Sequence, residues 1–248
     1  MRIILSPAKK MKDEPDGLAY TGLPVFLEQT EEILDWLKSL SRDELKKLWA
    51  CNDRIVEQNV ERLSCMDLRG RLTPAVLSYE GIAYQYMAPA VLEEGQIQYI
   101  QEHLRILSAF YGVLRPMDGV TPYRLEMQAR ASIDGHKDLY ALWGRRIYEE
   151  VRDESGVILN LASKEYFKCI EAFLSPEDMF ITPVFCEESG GKLVTKGTYA
   201  KMARGEMVRF MAENQIEDPR EIQQFDRLGY RFREELSSDT SYIFERIK

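Results

Sequence analysis

The spacing of apolar residues predicts alternating strands and helices along the chain. Residues 2–5 contain a β-branched apolar run that ends before Pro7, which indicates a short buried strand. Apolar residues follow helical spacing over residues 24–40, and residues 41–44 have the pattern of a capping box for a second helix. We therefore expect the first 65 residues to form an antiparallel helical pair.

Proline and glycine divide the middle of the chain. A helix is predicted for residues 74–86, since proline suits the first helical position, and another is predicted near residues 96–103. Residues 104–114 are apolar and fit either a strand or a buried helix. Residues 115–119 contain both proline and glycine, so they predict a turn.

The second half of the chain predicts a mixed sheet. A β-loop-α unit is expected from a strand at 157–161 and a helix at 163–174, with helices at 138–152 and 199–214, a shorter helix after Pro219, and hairpins at 179–195 and 230–246. The predicted fold class is α/β (mixed α+β), with a central mixed sheet and β-hairpins flanked by helices. With no internal repeat or low-complexity linker in the sequence, a single domain over residues 1–248 is expected.

Composition narrows the functional classes. The net charge of −8 gives no general attraction to polyanions, so any nucleic-acid role requires a local patch of Lys and Arg. Four scattered cysteines and two histidines lack zinc-site spacing, and we expect free thiols and no metal or cofactor. The sequence contains no P-loop, no G-x-G-x-x-G and no G-x-S-x-G. Without a bilayer-length apolar run or a signal-peptide pattern, we expect a cytoplasmic protein with no membrane partner.

Two segments place polar side chains just after predicted strands. Lys9 follows the first strand, and ligand crevices of open α/β sheets form at the carboxyl ends of strands. Ser163 stands at the N-cap of the helix after the strand at 157–161, where free backbone N–H groups attract phosphate or carboxylate. The plainer interpretations are a solvated lysine and an ordinary helix cap.

Two further segments are rich in basic residues. Arg124 is suited to bidentate phosphate contact, or else it pairs with Glu126 and fixes an irregular loop. On the helix at 199–214, Lys201 and Arg204 make one face partly basic while the opposite face is apolar. Charged runs of this kind are usually solvated, so neither segment alone identifies a site.

Ordered matches over nearly the whole chain resemble the YaaA family, cytoplasmic bacterial proteins associated with resistance to peroxide stress. The matching stretches are SPAK at 6–9, ILSAFYGVLRPMDGVTPYRLEM at 106–127, KDLY at 137–140 with Trp143-Gly144, NLASKEYFK at 160–168 and YAKMARGEMVRF at 199–210. Gly229-Tyr230, Phe244 and Arg246 extend the resemblance towards the tail. Such a set of ordered matches is more specific than any single motif.

The resemblance implies a positively charged cleft, DNA binding through an element like a helix-hairpin-helix, and a part in limiting intracellular iron and oxidative damage to DNA. The matching cations are Lys9, Arg115, Arg124, Lys164, Lys201 and Arg204, with Tyr111, Asn160 and Ser163 as neutral partners. The hairpin is expected at residues 107–113, where Ala109 stands at the position expected for a second glycine.

Three functional hypotheses remain open at this point. In the first, the cleft binds double- or single-stranded DNA through its phosphates with weak sequence preference. In the second, the same cations hold a small phosphorylated substrate or damaged nucleobase, with Glu126 or Glu165 as general acid or base and Tyr111 positioning it. In the third, the protein has a structural or partner-binding role and affects peroxide stress indirectly.

Overall fold

The computed structural model describes residues 1–14 and 16–247. Its strands are β1 (Arg2–Leu5), β2 (Lys10–Met11), β3 (Thr73–Pro74), β4 (Tyr79–Glu80), β5 (Leu104–Ser108), β6 (Gly112–Leu114), β7 (Gly119–Val120), β8 (Val157–Leu161), β9 (Met179–Ser189), β10 (Lys192–Val194), β11 (Tyr230–Phe232) and β12 (Ser241–Arg246). Its α-helices are α1 (Leu27–Ser39), α2 (Arg42–Trp49), α3 (Asp53–Ser64), α4 (Ala75–Ser78), α5 (Ile82–Met87), α6 (Glu94–His103), α7 (Leu139–Trp143), α8 (Arg146–Val151), α9 (Lys164–Glu171) and α10 (Gly197–Asn214). Short 3₁₀ turns cover Pro89–Val91, Pro219–Gln224, Arg227–Gly229 and Glu234–Leu236.

The central sheet has the order β11-β12-β9-β8-β1-β5-β6, with β10 paired to β9. Strands β5, β1, β8, β9 and β12 are parallel neighbours, while β6, β10 and β11 join antiparallel as hairpin arms. The predicted mixed sheet with hairpins and flanking helices is therefore confirmed.

The chain changes direction across the sheet at β1. From β1 it proceeds to β5 on one side, and it later returns to place β8 on the other side. In open α/β sheets, ligands bind at the carboxyl ends of the strands where such a reversal occurs. The gap between the ends of β1 and β8 is the corresponding position here.

Parallel strands covered on both faces need continuous apolar sequence. Ile3, Ile4 and Leu5 of β1 are at most 1% exposed, and β8 is buried from its second residue onward. This rigid centre holds the loops that follow β1 and β8 in fixed positions.

Helices α5 and α10 pack closely because a glycine lies at their contact. A Cβ atom added to Gly205 of α10 would lie 1.8 Å from the carbonyl oxygen of Ala83 in α5, so the backbones meet directly. This contact fixes the position of the basic side chains that α10 carries next to Gly205.

Several predicted elements are divided in the structure. The predicted capping box at Ser41 is confirmed, but the first 65 residues form the three helices α1, α2 and α3 rather than a helical pair. Strand β4 interrupts the helix predicted at 74–86, and Gly144, with φ +50°, separates α7 from α8 within the helix predicted at 138–152. Short polar or glycine-containing breaks within apolar stretches carry little periodic signal, which explains these differences.

The prediction of an element like a helix-hairpin-helix at residues 107–113 is wrong. Strands β5 and β6 pair antiparallel in this segment, with Ser108 opposite Gly112. The left-handed position of the turn is Gly112, at φ +72°, so Ala109 needs no positive φ. The glycine and flanking apolar residues that suggested a helical hairpin instead build a buried β-hairpin at the edge of the sheet.

Candidate functional site

A cavity of about 390 Å³ opens at the carboxyl ends of β1 and β8, and we call it the switch-point pocket. Its wall is formed by the loop after β1, the start of α5, the segment at 123–126, the start of α9 and one face of α10. Seven of the residues singled out from sequence line it: Lys9, Arg124, Glu126, Ser163, Glu165, Lys201 and Arg204. The structure thus brings together segments that lie up to about two hundred residues apart in sequence.

Two serines join the loops that follow β1 and β8. Ser6 Oγ accepts a 2.8 Å hydrogen bond from the backbone N–H of Ser163 and lies 3.2 Å from Ser163 Oγ. Ser163 is the N-cap of α9 by its backbone, yet its own side chain makes no capping hydrogen bond. The hydroxyl of Ser6 therefore satisfies a backbone donor near the helix start, and both hydroxyls lie at the pocket wall.

The pocket wall contains a cluster of cations and carboxylates. Glu126 accepts from Lys9 Nζ at 2.6 Å through Oε2 and from Arg124 Nη2 at 3.1 Å through Oε1. Nearby, Lys10 Nζ pairs with Glu80 at 2.9 Å. The ion pair between Arg124 and Glu126 that the structural interpretation of this segment predicts is present, and both side chains also line the pocket.

Glu165 is the carboxylate of this cluster that has no ion-pair partner within the described part of the chain. Its Oε1 accepts from the backbone N–H of Gln128 at 3.3 Å. Burial raises the pKa of Glu165, and neighbouring Glu126 raises it further, whereas Lys9 lowers it. A carboxylate offers about four acceptor positions, so Glu165 retains the ability to accept hydrogen bonds from a ligand.

A second polar feature of the pocket is Arg204. Across residues 1–14 and 16–247 its guanidinium has neither an ion pair nor a protein hydrogen bond, and its Nε is buried. Burial lowers the pKa of Arg204. Lys201, three residues earlier on α10 and exposed, lines the same pocket and likewise has no carboxylate partner in the described chain.

Apolar and aromatic side chains form much of the remaining pocket wall. Leu5, Ile82, Leu125 and Leu161 line the pocket together with the tyrosines 84, 123 and 166. Tyr84 donates its hydroxyl to the carbonyl of Ser6 at 3.0 Å, while the hydroxyl of Tyr123 lies 2.7 Å from Ser108 Oγ and 2.9 Å from Tyr79. The phenol groups of Tyr84 and Tyr123 are thus bonded within the protein, which leaves ring surface to form the wall.

Among the described residues, five cations and three carboxylates line the pocket: Lys9, Lys10, Arg124, Lys201 and Arg204 against Glu80, Glu126 and Glu165. Three of the cations, Lys9, Arg124 and Lys10, are bonded to two of the three carboxylates. The unbalanced positive charge therefore lies on α10.

Three candidate residues lie elsewhere. Arg115 lines a separate cavity, 3.5 Å from Glu150. Asn160 is buried and bridges Thr182 Oγ1 at 3.2 Å and the N–H of Ala162 at 3.0 Å. Tyr111 is buried with its hydroxyl against the backbone of Thr121. The buried contacts of Asn160 and Tyr111 hold the fold together.

Lys164 lies beside the switch-point pocket but not in it. It is exposed and lines an open groove together with Arg130, Lys137 and Lys168. Glu165 lines both the groove and the pocket, so the two are direct neighbours.

Sequence reasoning does not identify Ser6 as a site residue, nor the pocket tyrosines Tyr84 and Tyr166. Ser6 follows a predicted strand in the same way as Ser163, and this shared position after a strand is a pattern that could have identified Ser6 as a site residue. Nothing in the local pattern around Tyr84 distinguishes it from a core residue, because its role depends on the contact between α5 and α10.

Metal-binding clusters and membrane-spanning helices are both absent from residues 1–14 and 16–247. No group of three or more His, Cys, Asp or Glu side chains is arranged there to hold a metal ion. No helix in that part of the chain combines the length and apolar character needed to cross a bilayer.

Comparison with known proteins identifies the family. A sequence profile described as peroxide stress protein YaaA matches residues 1–236. A UPF0246 protein of Agathobacter rectalis is 65% identical over 246 residues, which cover 99% of both chains. UPF0246 proteins of Lachnoclostridium phytofermentans and Limosilactobacillus reuteri are 54% and 49% identical, over 98% and 100% of this chain and 96% and 100% of their own. The chain therefore belongs to the family described as peroxide stress protein YaaA.

Proposed function

We propose that this member of the peroxide stress family binds DNA and places one nucleotide of a strand in the switch-point pocket. Through that binding it helps to limit iron-dependent oxidative damage to DNA, as the family resemblance implies. The phosphate of the bound nucleotide lies at Arg204 and Lys201, and its base lies between the apolar and aromatic walls.

The unpaired guanidinium of Arg204 is the observation that carries this proposal. A partly buried arginine without a carboxylate partner is unfavourable for the free protein, since burial penalises its charge. A phosphate supplies the missing charge and accepts two hydrogen bonds from the planar guanidinium. Lys201 adds a second positive charge on the same face of α10.

The size of the pocket favours a single nucleotide over a length of duplex. A volume of about 390 Å³ falls within the range of roughly 300–1,000 Å³ typical of small-ligand sites. Enzymes and binding proteins that hold one base take it from single-stranded DNA or extrude it from a duplex. We therefore expect single strands and bubbles to bind more tightly than perfect duplex.

The overall charge of −8 does not conflict with this proposal. Long-range attraction depends on the total charge, whereas phosphate contact depends on cations within the site. Such binding is weakly sequence-specific and decreases as salt concentration increases.

Fluorescence anisotropy with labelled single-stranded, bubble and duplex DNA tests the proposal across a salt series. The Lys201→Gln/Arg204→Gln variant should lose most of its affinity, and on single strands its salt slope should be smaller by about 0.7 for each phosphate that is no longer neutralised. The matched control, Lys192→Gln/Arg231→Gln, removes the same charge from exposed positions outside the pocket. Equal losses of affinity in both variants, or affinity independent of salt, would contradict a phosphate site in the pocket.

An enzyme acting on a small phosphorylated substrate or damaged nucleobase is the second candidate, and the pair Glu126 and Glu165 favours it. Both carboxylates line one bounded pocket, and burial raises the pKa of Glu165 while Lys9 and Arg124 pair with Glu126. Two carboxyl groups in such different surroundings can divide the roles of acid and base. Incubation with mononucleotides and oxidised nucleosides, followed by chromatography of the products, tests for turnover, and Glu165→Gln should abolish it.

A further inference from the structure

The two carboxylates of the switch-point pocket are not equivalent as hydrogen-bond acceptors. Glu126 has one oxygen bonded to Lys9 and the other to Arg124. Glu165 has no cation within ion-pair distance in the described chain, and its hydrogen bonds come from backbone N–H groups, the one from Gln128 at 3.3 Å. Glu165 is therefore the carboxylate with acceptor capacity left for a ligand.

Hydrogen-bond donors and acceptors lie close together around Glu126 and Glu165. Lys9 is close enough to influence the pKa of Glu165, and Lys9 and Arg124 are both held at Glu126. A base edge with an amino group and a carbonyl on either side of one ring nitrogen offers the complementary pattern, because its amino group donates to Glu165 and its carbonyl accepts from a cation. Cytosine and guanine have such an edge.

The phosphate and the base of a bound nucleotide contact protein groups of opposite charge. Arg204 has no carboxylate partner, whereas Glu165 has no cationic partner within the described residues. A nucleotide is anionic at the phosphate and carries hydrogen-bond donors on an amino-bearing base, so its two ends match these two groups. Leu5, Ile82 and Leu161 provide the apolar wall along which the base lies.

We propose that Glu165 makes the pocket selective for nucleotides whose base carries an exocyclic amino group, over those with a carbonyl at the same position. This inference rests on the proposed nucleotide site and specifies what the site accepts. A uracil or thymine carbonyl would instead face the carboxylate oxygen of Glu165. Both atoms are hydrogen-bond acceptors, so each would lose its contact with water without gaining a partner.

Isothermal titration calorimetry with dCMP and dUMP tests the selectivity, because these nucleotides differ only in the amino or carbonyl group at ring position 4 and in the hydrogen on the neighbouring N3. Wild type should prefer dCMP by roughly tenfold, which corresponds to about 1.4 kcal/mol. Glu165→Gln offers both a carbonyl and an amide N–H, so its preference should fall to within roughly twofold. The control Glu149→Gln changes an exposed carboxylate outside the pocket that is paired with Arg145, and it should retain the preference.

Wild-type protein alone supplies a second measurement that does not depend on the folding of a variant. A dCMP analogue with two methyl groups on the exocyclic nitrogen has no N–H to donate, and it should bind about as weakly as dUMP. Equal affinity for dCMP and dUMP would overturn the selectivity and leave the nucleotide site in place. Binding of DNA without binding of any mononucleotide would overturn this inference alone, and failure to bind either would overturn the proposed function as well.

Discussion

The hydroxyl oxygen of Ser6 lies 2.8 Å from the backbone nitrogen of Ser163 and accepts its hydrogen bond. This bond joins the loops at the carboxyl ends of β1 and β8, which are neighbouring parallel strands. Ser163 lies at the start of α9, where backbone N–H groups lack partners within the helix. The same bond therefore stabilises the helix start and holds two sides of the pocket together.

Ser6→Ala should lower the free energy of unfolding by about 1–2 kcal/mol, because the partly buried N–H of Ser163 loses its acceptor. Urea denaturation followed by circular dichroism measures the change. Ser163→Ala is the matched control, since it removes a hydroxyl from the same pair but keeps the backbone N–H bonded to Ser6. A larger loss of stability in Ser163→Ala than in Ser6→Ala would contradict this assignment.

Arg204→Met should abolish phosphate binding and, at the same time, stabilise the free protein by about 1 kcal/mol. The substitution removes a partly buried charge that has no partner in the described chain and keeps an apolar stem of similar length. Arg209 on the same helix pairs with Glu213 at 2.7 Å, so Arg209→Met should give no gain in stability and leave binding unchanged. Urea denaturation and DNA anisotropy on the same preparations measure both effects, and a destabilised Arg204→Met would show that the guanidinium has a structural role.

Arg115→Ala distinguishes a bounded pocket from an extended DNA-binding surface. Arg115 is exposed, pairs with Glu150 and lies in a separate cavity. If phosphate binding is confined to the switch-point pocket, affinity for a short single strand should change by less than about twofold, since every phosphate keeps its cation. If DNA affinity in the anisotropy assay decreased as much as it does in Lys201→Gln/Arg204→Gln, the DNA-binding interface would have to extend across β6.

The positions of Lys9 and Ser163 show how much of the site the sequence alone predicts. Both are predicted to follow apolar strands, and the rule for carboxyl ends of parallel strands brings them to one edge. The sheet order that makes β1 and β8 neighbours is set by long-range packing, which local periodicity does not contain. For the same reason, sequence patterns do not predict the closeness of Ser6 to Ser163.

Tyr111, Asn160 and Arg115 show the limit of motif-based assignment. Tyr111 and Asn160 both lie in matching stretches, and their buried hydrogen bonds tie the β5–β6 hairpin to Thr121 and secure the end of β8. A residue required by the fold and a residue that contacts a ligand look alike in a sequence match. Burial and hydrogen-bond partners separate them in the structure, whereas the unpaired state of Arg204 depends on which elements surround it.

Asp118 should make stability depend on pH between about pH 4 and 6. Burial raises its pKa to about 6, against a usual value of about 3.9 in an unfolded chain. The folded state therefore binds more protons in this interval, and the contribution of Asp118 to stability falls as the pH rises. Asp118→Asn keeps an oxygen that can accept from the N–H of Arg115, so it should be more stable than wild type at pH 7 by up to about 3 kcal/mol. The difference in unfolding free energy should vanish near pH 4, and a constant difference across the range would contradict the assignment.

Gly205→Ala should separate α10 from α5 and impair the pocket that both helices line. The added Cβ would lie 1.8 Å from the carbonyl oxygen of Ala83, which is backbone and cannot rotate away. We expect a loss of about 3 kcal/mol or more in unfolding free energy, at the upper end for overpacking, together with weaker DNA binding as Arg204 is displaced.

Gly197→Ala is the control on the same helix, because nothing lies within 4 Å of its added Cβ. It should leave stability unchanged or raise it by up to about 1 kcal/mol. Urea denaturation and DNA anisotropy are measured on both variants. Equal changes in unfolding free energy and DNA affinity would show that the direct backbone contact at Gly205 does not position the basic face of α10.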